Sequence, residues 1–254
     1  MGENLIAGLL RASWEPHDIL AVDSYASRLD EMVSTYNIQR SDIAQAAQTA
    51  QIVVIVVKPQ DIDTVLPELA ANISSGTLVA SLCAGITIAR IEAALPVGTP
   101  VVRVMPNTPS QVSEGMTAIS AGQDASAEQV EQVCALLRTV GKVVVVPEAY
   151  QDGVTAISGS GPAYLFFVAE AMIDAGVMLG LPRQIAAELV TQTLYGSAKL
   201  LVESGEHPAL LRERVTSPGG TTAAALRQLE KNRVKAAFMQ ALEAARDRSA
   251  ALAK

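Results

Sequence analysis

Apolar positions follow two alternating rhythms over the first part of the chain and one rhythm over the rest. Between Leu5 and Ala12 they fall at 5, 6, 9 and 10, the spacing of a single helix face. Ile19–Val22 is a short aliphatic run that reads as a buried strand ending in Asp23. Ala26 to Tyr36 is an amphipathic helix with Leu29, Met32 and Val33 facing inward. Ile52 to Val57 is aliphatic throughout, as a strand buried on both faces would be, and it stops at Lys58-Pro59. The same alternation predicts helix over 60–71, strand over 78–82, helix over 86–94 and strand over 101–105. A strand over 116–120, a helix over 127–139 and a strand over 142–146 complete it. Strands alternating with helices predict a parallel, doubly wound α/β sheet.

Beyond Pro147 no strand-like run of useful length remains. Helical stripes at 154–157 and 164–168 are interrupted by Ser158-Gly159-Ser160-Gly161-Pro162, and helices follow over 165–180, 183–204, 208–215 and 221–253. The expected organisation is a Rossmann-like domain over residues 1–147 and an all-helical domain over 148–254. The abrupt junction Val146-Pro147-Glu148 predicts a fixed domain interface with a ligand cleft.

Composition narrows the classes of function. Half the residues are hydrophobic but only 4% are aromatic, so the core is aliphatic and alanine-rich. A net charge of −7 disfavours nucleic acid or an anionic membrane as partner. Cys83 and Cys134 lie in apolar runs without CxxC spacing, which predicts reduced, cytoplasmic thiols and no metal site. His17 and His207 are the only histidines, too few for a multi-histidine centre. No run approaches the ~20 apolar residues of a membrane span, and Met1-Gly2-Glu3-Asn4 lacks the basic start of a signal peptide.

The chemistry gathers in two places. The first is Ser217-Pro218-Gly219-Gly220-Thr221-Thr222, a turn that empties into a helix N-terminus. Such an end offers unpaired N–H groups and the positive pole of the dipole, a seat for a small carboxylate. The alternative reading is an ordinary helix cap. The second place is the row of strand ends, where an open parallel sheet binds its ligand. Those ends are Asp23, Val57-Lys58-Pro59, Cys83-Ala84-Gly85 and Asn107. Small residues at Ala84 and Gly85 let a flat cofactor lie on the backbone, and Lys58 is placed for a phosphate or carboxamide. A dinucleotide fold opens with a strand and a Gly-x-Gly-x-x-Gly turn; this chain opens on Met1-Gly2 and a helix. Gly2 then matches the last glycine of that turn, and the first strand is expected within about ten preceding residues.

At these residues the chain resembles pyrroline-5-carboxylate reductase, nearly end to end. The likeness is carried by Val57-Lys58-Pro59, Arg103 through Pro109, Ser158 through Tyr164, Gly205-Glu206-His207-Pro208 and above all Ser217 through Thr222. The resemblance implies an NADPH- or NADH-dependent reduction of a cyclic imine carboxylate to L-proline. It implies a homodimer through the C-terminal helices, with further assembly into a ring of dimers. It places the substrate carboxylate on Ser217, Gly219, Gly220, Thr221 and Thr222, with the Thr222 hydroxyl catalytic at the ring nitrogen. It places the cofactor on Gly2, Asp23, Val57, Lys58, Pro59, Cys83, Ala84, Gly85 and Asn107. The family often has Asn where Ile43 stands, so that contact does not carry over. Asp23 favours a free ribose 2′-OH, whereas Arg28 nearby offsets its charge toward a 2′-phosphate; NADPH is the expected cofactor. A non-catalytic dimeric module that has lost cofactor binding is the alternative, and a hydroxy-acid reductase with Lys199 as candidate acid/base is a third; His207 reads as a proton shuttle or a helix-start residue before proline.

Overall fold

A computed structural model of the chain describes residues 1–252. Helix α1 (Gly2–Arg11) turns Leu5, Gly8 and Leu9 inward, and Glu3 and Arg11 at its two ends complement its dipole. Strand β1 (Leu20–Ala21) leads to α2 (Ala26–Tyr36), which closes on Asn37 in the left-handed region at φ 54°. Strand β2 (Gln39–Arg40) pairs in parallel with β1, and α3 (Ile43–Thr49) begins where the Asp42 carboxylate accepts the Gln45 N–H. The hydropathy pattern predicts neither of these last two. β2 is exposed and only two residues long, and α3 buries a single alanine, Ala47.

The main sheet is built by β3 (Ile52–Ile55), β4 (Leu78–Ser81), β5 (Val101–Met105), β6 (Gly115–Ala121) and β7 (Gly141–Val145), side by side in that order. Helices α4 (Ile62–Asn72), α5 (Ile88–Ala94) and α6 (Ala127–Arg138) connect them. One core cluster joins α1, α2 and α6 to Leu78, Val102, Val104 and Ile119. The other joins Ile62, Leu66 and Leu69 of α4 and Ile88 and Ile91 of α5 to Ile55, Val79 and Val101. Helices therefore cover both faces, as buried strands require.

Two expectations about the sheet are corrected. It is not wholly parallel: β6 runs antiparallel to β5, with Val104 opposite Ile119. The connection between them holds only a 3-10 turn, Thr108–Val112, and is too short for the crossover that a parallel return needs. Nor is the 52–57 run buried on both faces. β3 pairs only with β4, and of its residues Ile55 alone is buried.

Among the described residues after Pro147 the regular elements are all helices. Helix α7 (Gln151–Val154) passes through a π-turn (Thr155–Gly159) into α8 (Gly161–Met178). The interruption expected at Ser158–Pro162 is instead this wide turn, closed by the Ser160 N–H on the Thr155 carbonyl at 2.8 Å. Helices α9 (Arg183–Ser204), α10 (Pro208–Arg214), α11 (Thr221–Lys231) and α12 (Val234–Leu252) follow. The single helix expected over 221–253 is thus two. Asn232 folds its amide onto the Gln228 carbonyl and Arg233 takes a left-handed φ of 57°, so the chain turns there.

Two compact units result: Met1–Ser160 together with the segment from Ala245, and Gly161–Ala244. The α/β unit runs past the expected boundary at 147/148 because α7 is woven into it. Gln151 is fully buried and donates to Ser120 Oγ at 2.8 Å, and Ser249 of α12 donates to Asp152. The helical unit buries little of its own surface. α8 has no buried residue, α9 has only Ala186 and Val190, and Phe166 and Phe167 are 68% and 71% exposed.

Candidate active site

The turn before α11 carries its chemistry unmasked. Gly219 stands at φ +68°, which L side chains rarely adopt, and Gly220 N–H closes the turn on the Ser217 carbonyl at 3.0 Å. Gly220 is the N-cap, and no side chain caps the helix. The first backbone bond back to the cap comes from Ala224, so the N–H groups of Thr221, Thr222 and Ala223 have no backbone acceptor among the described residues. The cap alternative required a hydroxyl bonded to one of these amides. Instead the hydroxyls of Ser217, Thr221 and Thr222 are all uncommitted among the described residues. Three amides at the positive end of an 11-residue helix are thus flanked by three hydroxyls, a set of donors that suits an anion.

In the α/β unit, Gly2, Val57 and Cys83 of the expected cofactor residues meet at the end of β3, whereas Asp23 follows β1 of the separate two-stranded sheet. Gly2 opens α1 beside Val56, so the N-terminus of α1 abuts the end of β3. Lys58 is exposed, caps the 3-10 turn Pro59–Asp61, and has no ion-pair partner among the described residues. The Cys83 thiol donates to the Val57 carbonyl at 3.3 Å and ties the end of β3 to the loop after β4. Burial raises the Cys83 pKa, so it is a neutral thiol that holds a loop and not a nucleophile. Ala84 is exposed, whereas Gly85, at φ +77°, is buried, and a Cβ there would lie 3.5 Å from Leu252 of α12. Asp23 lies beyond β1 and accepts the Tyr25 N–H at 2.8 Å through one oxygen. A helix N-terminus at a strand end and an ammonium with no ion-pair partner among the described residues are groups of the kind that bind a dinucleotide's pyrophosphate.

Two residues are already engaged. Arg28, expected to offset Asp23, is held by Glu31 at 2.6 Å and by Glu3. These carboxylates, Glu31 first, raise its pKa. Asn107 accepts the Met116 N–H at 2.8 Å and donates to the Ser158 carbonyl at 3.2 Å. That carbonyl is free because Pro162, four residues on, has no N–H to give it. Asn107 thus braces the start of β6 against the π-turn, with Gly159 packed where a Cβ would strike Met105 at 2.5 Å.

The structure also adds residues that sequence patterns did not single out for the site. Arg103 on β5 is 5% exposed and pairs with Glu148 at 3.1 Å; the same carboxylate oxygen accepts the Ile88 N–H at 2.8 Å. The groups considered for other chemistries have ordinary roles. His207 caps α10 by accepting the Ala209 N–H at 3.2 Å, and Lys199 pairs with Glu203 on an exposed helix face. Among the described residues no group of His, Cys, Asp and Glu is arranged to hold a metal.

Comparison with known proteins finds a match for each end of the chain. Residues 1–85 match the family model "NADP oxidoreductase coenzyme F420-dependent", and residues 148–252 match "Pyrroline-5-carboxylate reductase dimerisation". The pyrroline-5-carboxylate reductase of Corynebacterium melassecola is 45% identical, over 100% of this chain and 96% of the relative. That of Synechocystis is 41% identical over 100% and 95%. A solved pyrroline-5-carboxylate reductase from Coxiella burnetii superposes with a TM-score of 0.94 at 36% identity, covering 100% of this chain and 95% of that one. The Plasmodium falciparum enzyme, solved with NADP bound, gives 0.86 at 31% identity over 100% and 95%.

Proposed function

This chain belongs to the pyrroline-5-carboxylate reductase family, and from that premise we propose how its residues carry out the reduction of 1-pyrroline-5-carboxylate to L-proline. The carrying observation is the uncapped α11 N-terminus. The substrate carboxylate takes the amides of Thr221 and Thr222, with Gly219 and Gly220 admitting it and Ser217 assisting. The Thr222 hydroxyl hydrogen-bonds the ring nitrogen. The protonated imine is already electrophilic, so no strong acid or base is required, which suits a chain with two histidines in unrelated places. A bound NADPH or NADH supplies the hydride to the imine carbon. The N-terminus of α1 at Gly2 holds its pyrophosphate, Asp23 its ribose, and Val57-Lys58-Pro59 and Cys83-Ala84-Gly85 line its path. Asn107 acts from behind as a brace. Orientation of ring against nicotinamide provides most of the rate enhancement.

The helical segment Gly161–Leu252 forms a homodimer, and we extend this to a ring of dimers as the proposed assembly. The segment Glu148–Met178 is long and apolar enough to cross a membrane by length and composition. We assign its exposed face to a second copy and not to lipid, because its first turns are fixed in the α/β unit through Gln151. The two cysteines are free and buried, in keeping with a cytoplasmic enzyme. Nothing favours the non-catalytic alternative: relatives that match the whole chain are pyrroline-5-carboxylate reductases.

Calorimetric titration tests the carboxylate seat. In the presence of oxidised cofactor, L-proline should bind at least about tenfold more tightly than L-prolinamide, whose neutral amide forfeits the dipole and charge-assisted bonds. Equal affinities would remove the assignment of the turn to the carboxylate.

A further inference from the structure

We propose that Glu148 is a positioning residue for the cofactor loop: held by Arg103, its carboxylate takes the Ile88 amide at the start of α5 and thereby fixes the backbone of residues 83–87. This rests on the reading of that loop as a cofactor contact.

The loop is weakly held by its own bonds. Cys83 N–H reaches Ser81 Oγ at 3.4 Å, Ile86 N–H reaches the Cys83 carbonyl at 3.3 Å, and the Thr87 cap meets the Arg90 N–H at 3.3 Å. All sit at the long end of hydrogen-bond geometry. Gly85, at φ +77°, makes no hydrogen bond of its own among the described residues and packs against Leu252, where a built Cβ would lie 3.5 Å away. The bond from Ile88 N–H to Glu148 Oε1, at 2.8 Å, is shorter than any of these and is charge-assisted. It comes from a residue 60 positions away, in the 3-10 turn Glu148–Tyr150.

Glu148 is fixed in turn from the sheet. Arg103 lies between Ser81 of β4 and Ser120 of β5's other neighbour, in register with both, and all three are buried. A buried guanidinium needs a counter-charge, and Glu148 provides one at 3.1 Å. Ser120 also accepts from Gln151, so one polar row joins the cofactor loop, the sheet and the first turn of α7. Glu148 has no reach to the reacting atoms in this scheme; it acts through the loop backbone.

Three variants test this. Glu148→Gln removes the counter-charge of Arg103 but keeps an oxygen to accept from Ile88, so NADPH affinity, read by nicotinamide fluorescence, should fall clearly less than in Glu148→Ala. Glu148→Ala should weaken NADPH binding by about tenfold, in line with the sensitivity of sites to ångström misplacement, while L-proline affinity stays unchanged. In the cofactor-free protein, hydrogen exchange at the Ile88 amide should quicken at least about tenfold in Glu148→Ala and not in Glu148→Gln. Ala84→Glu places a carboxylate on the loop and is the control. If it leaves NADPH binding intact, the cofactor reading of the loop fails. If it abolishes binding while Glu148→Ala binds NADPH normally, or loses NADPH and proline affinity equally, the positioning role is overturned.

Discussion

Replacing Thr222 by alanine is expected to lower turnover by about 10²-fold or more, within the range for a group that manages a proton in the transition state. The melting temperature should move by less than about 2 °C, since partly exposed surface changes usually alter stability by within ±0.5 kcal/mol. The contrast follows from where Thr222 stands. Its hydroxyl has no partner among the described residues and caps nothing, so the fold loses no hydrogen bond when it goes. What is lost is the contact to the substrate nitrogen. KM for the substrate should change less than kcat, because the backbone amides that hold the carboxylate remain. Thr222→Ser, which keeps the hydroxyl, should recover most of the rate. Turnover within a few-fold of the parent in Thr222→Ala would exclude a catalytic role.

Phe167→Asp is expected to convert the oligomer to monomer. Phe166 and Phe167 project from a helix with no buried residue, an arrangement that water tolerates poorly unless another chain covers it. Burying one such ring is worth roughly 1.5–3 kcal/mol, and an isologous interface counts each position twice. Losing both rings and burying two carboxylates should therefore weaken association by about 10³-fold or more. Sedimentation at micromolar concentration reads this directly. The same oligomer mass in the variant would place the interface elsewhere on the chain.

The turn before α11 was legible in the sequence because its signal is local: two glycines, a proline and three hydroxyls within six residues, at a helix start. The structure adds that no side chain caps that helix, which composition alone leaves open. The doubly wound layout was legible from period, but strand direction was not. The missing helix between Met105 and Gly115 was the available clue that β6 turns back. β2 and α3 escaped because neither buries enough side chain to set a rhythm. Asn107 was legible as a strand-end residue. Its brace depends on Pro162 freeing a carbonyl 51 residues away from it, on Ser158, and no spacing rule anticipates that. Arg103 and Glu148 were invisible as a pair for the same reason: 45 residues separate them, and their partnership exists only once β5 and the end of β7 are adjacent to α5. Local chemistry survives in a linear reading, whereas braces that join distant segments do not.

The most direct test of the account is nicotinamide absorbance with the full chain, NADPH or NADH, and 1-pyrroline-5-carboxylate, with the product identified by amino-acid analysis. The account predicts cofactor oxidation that depends on the imine and yields L-proline in equal amount. Absence of proline with both cofactors would contradict it.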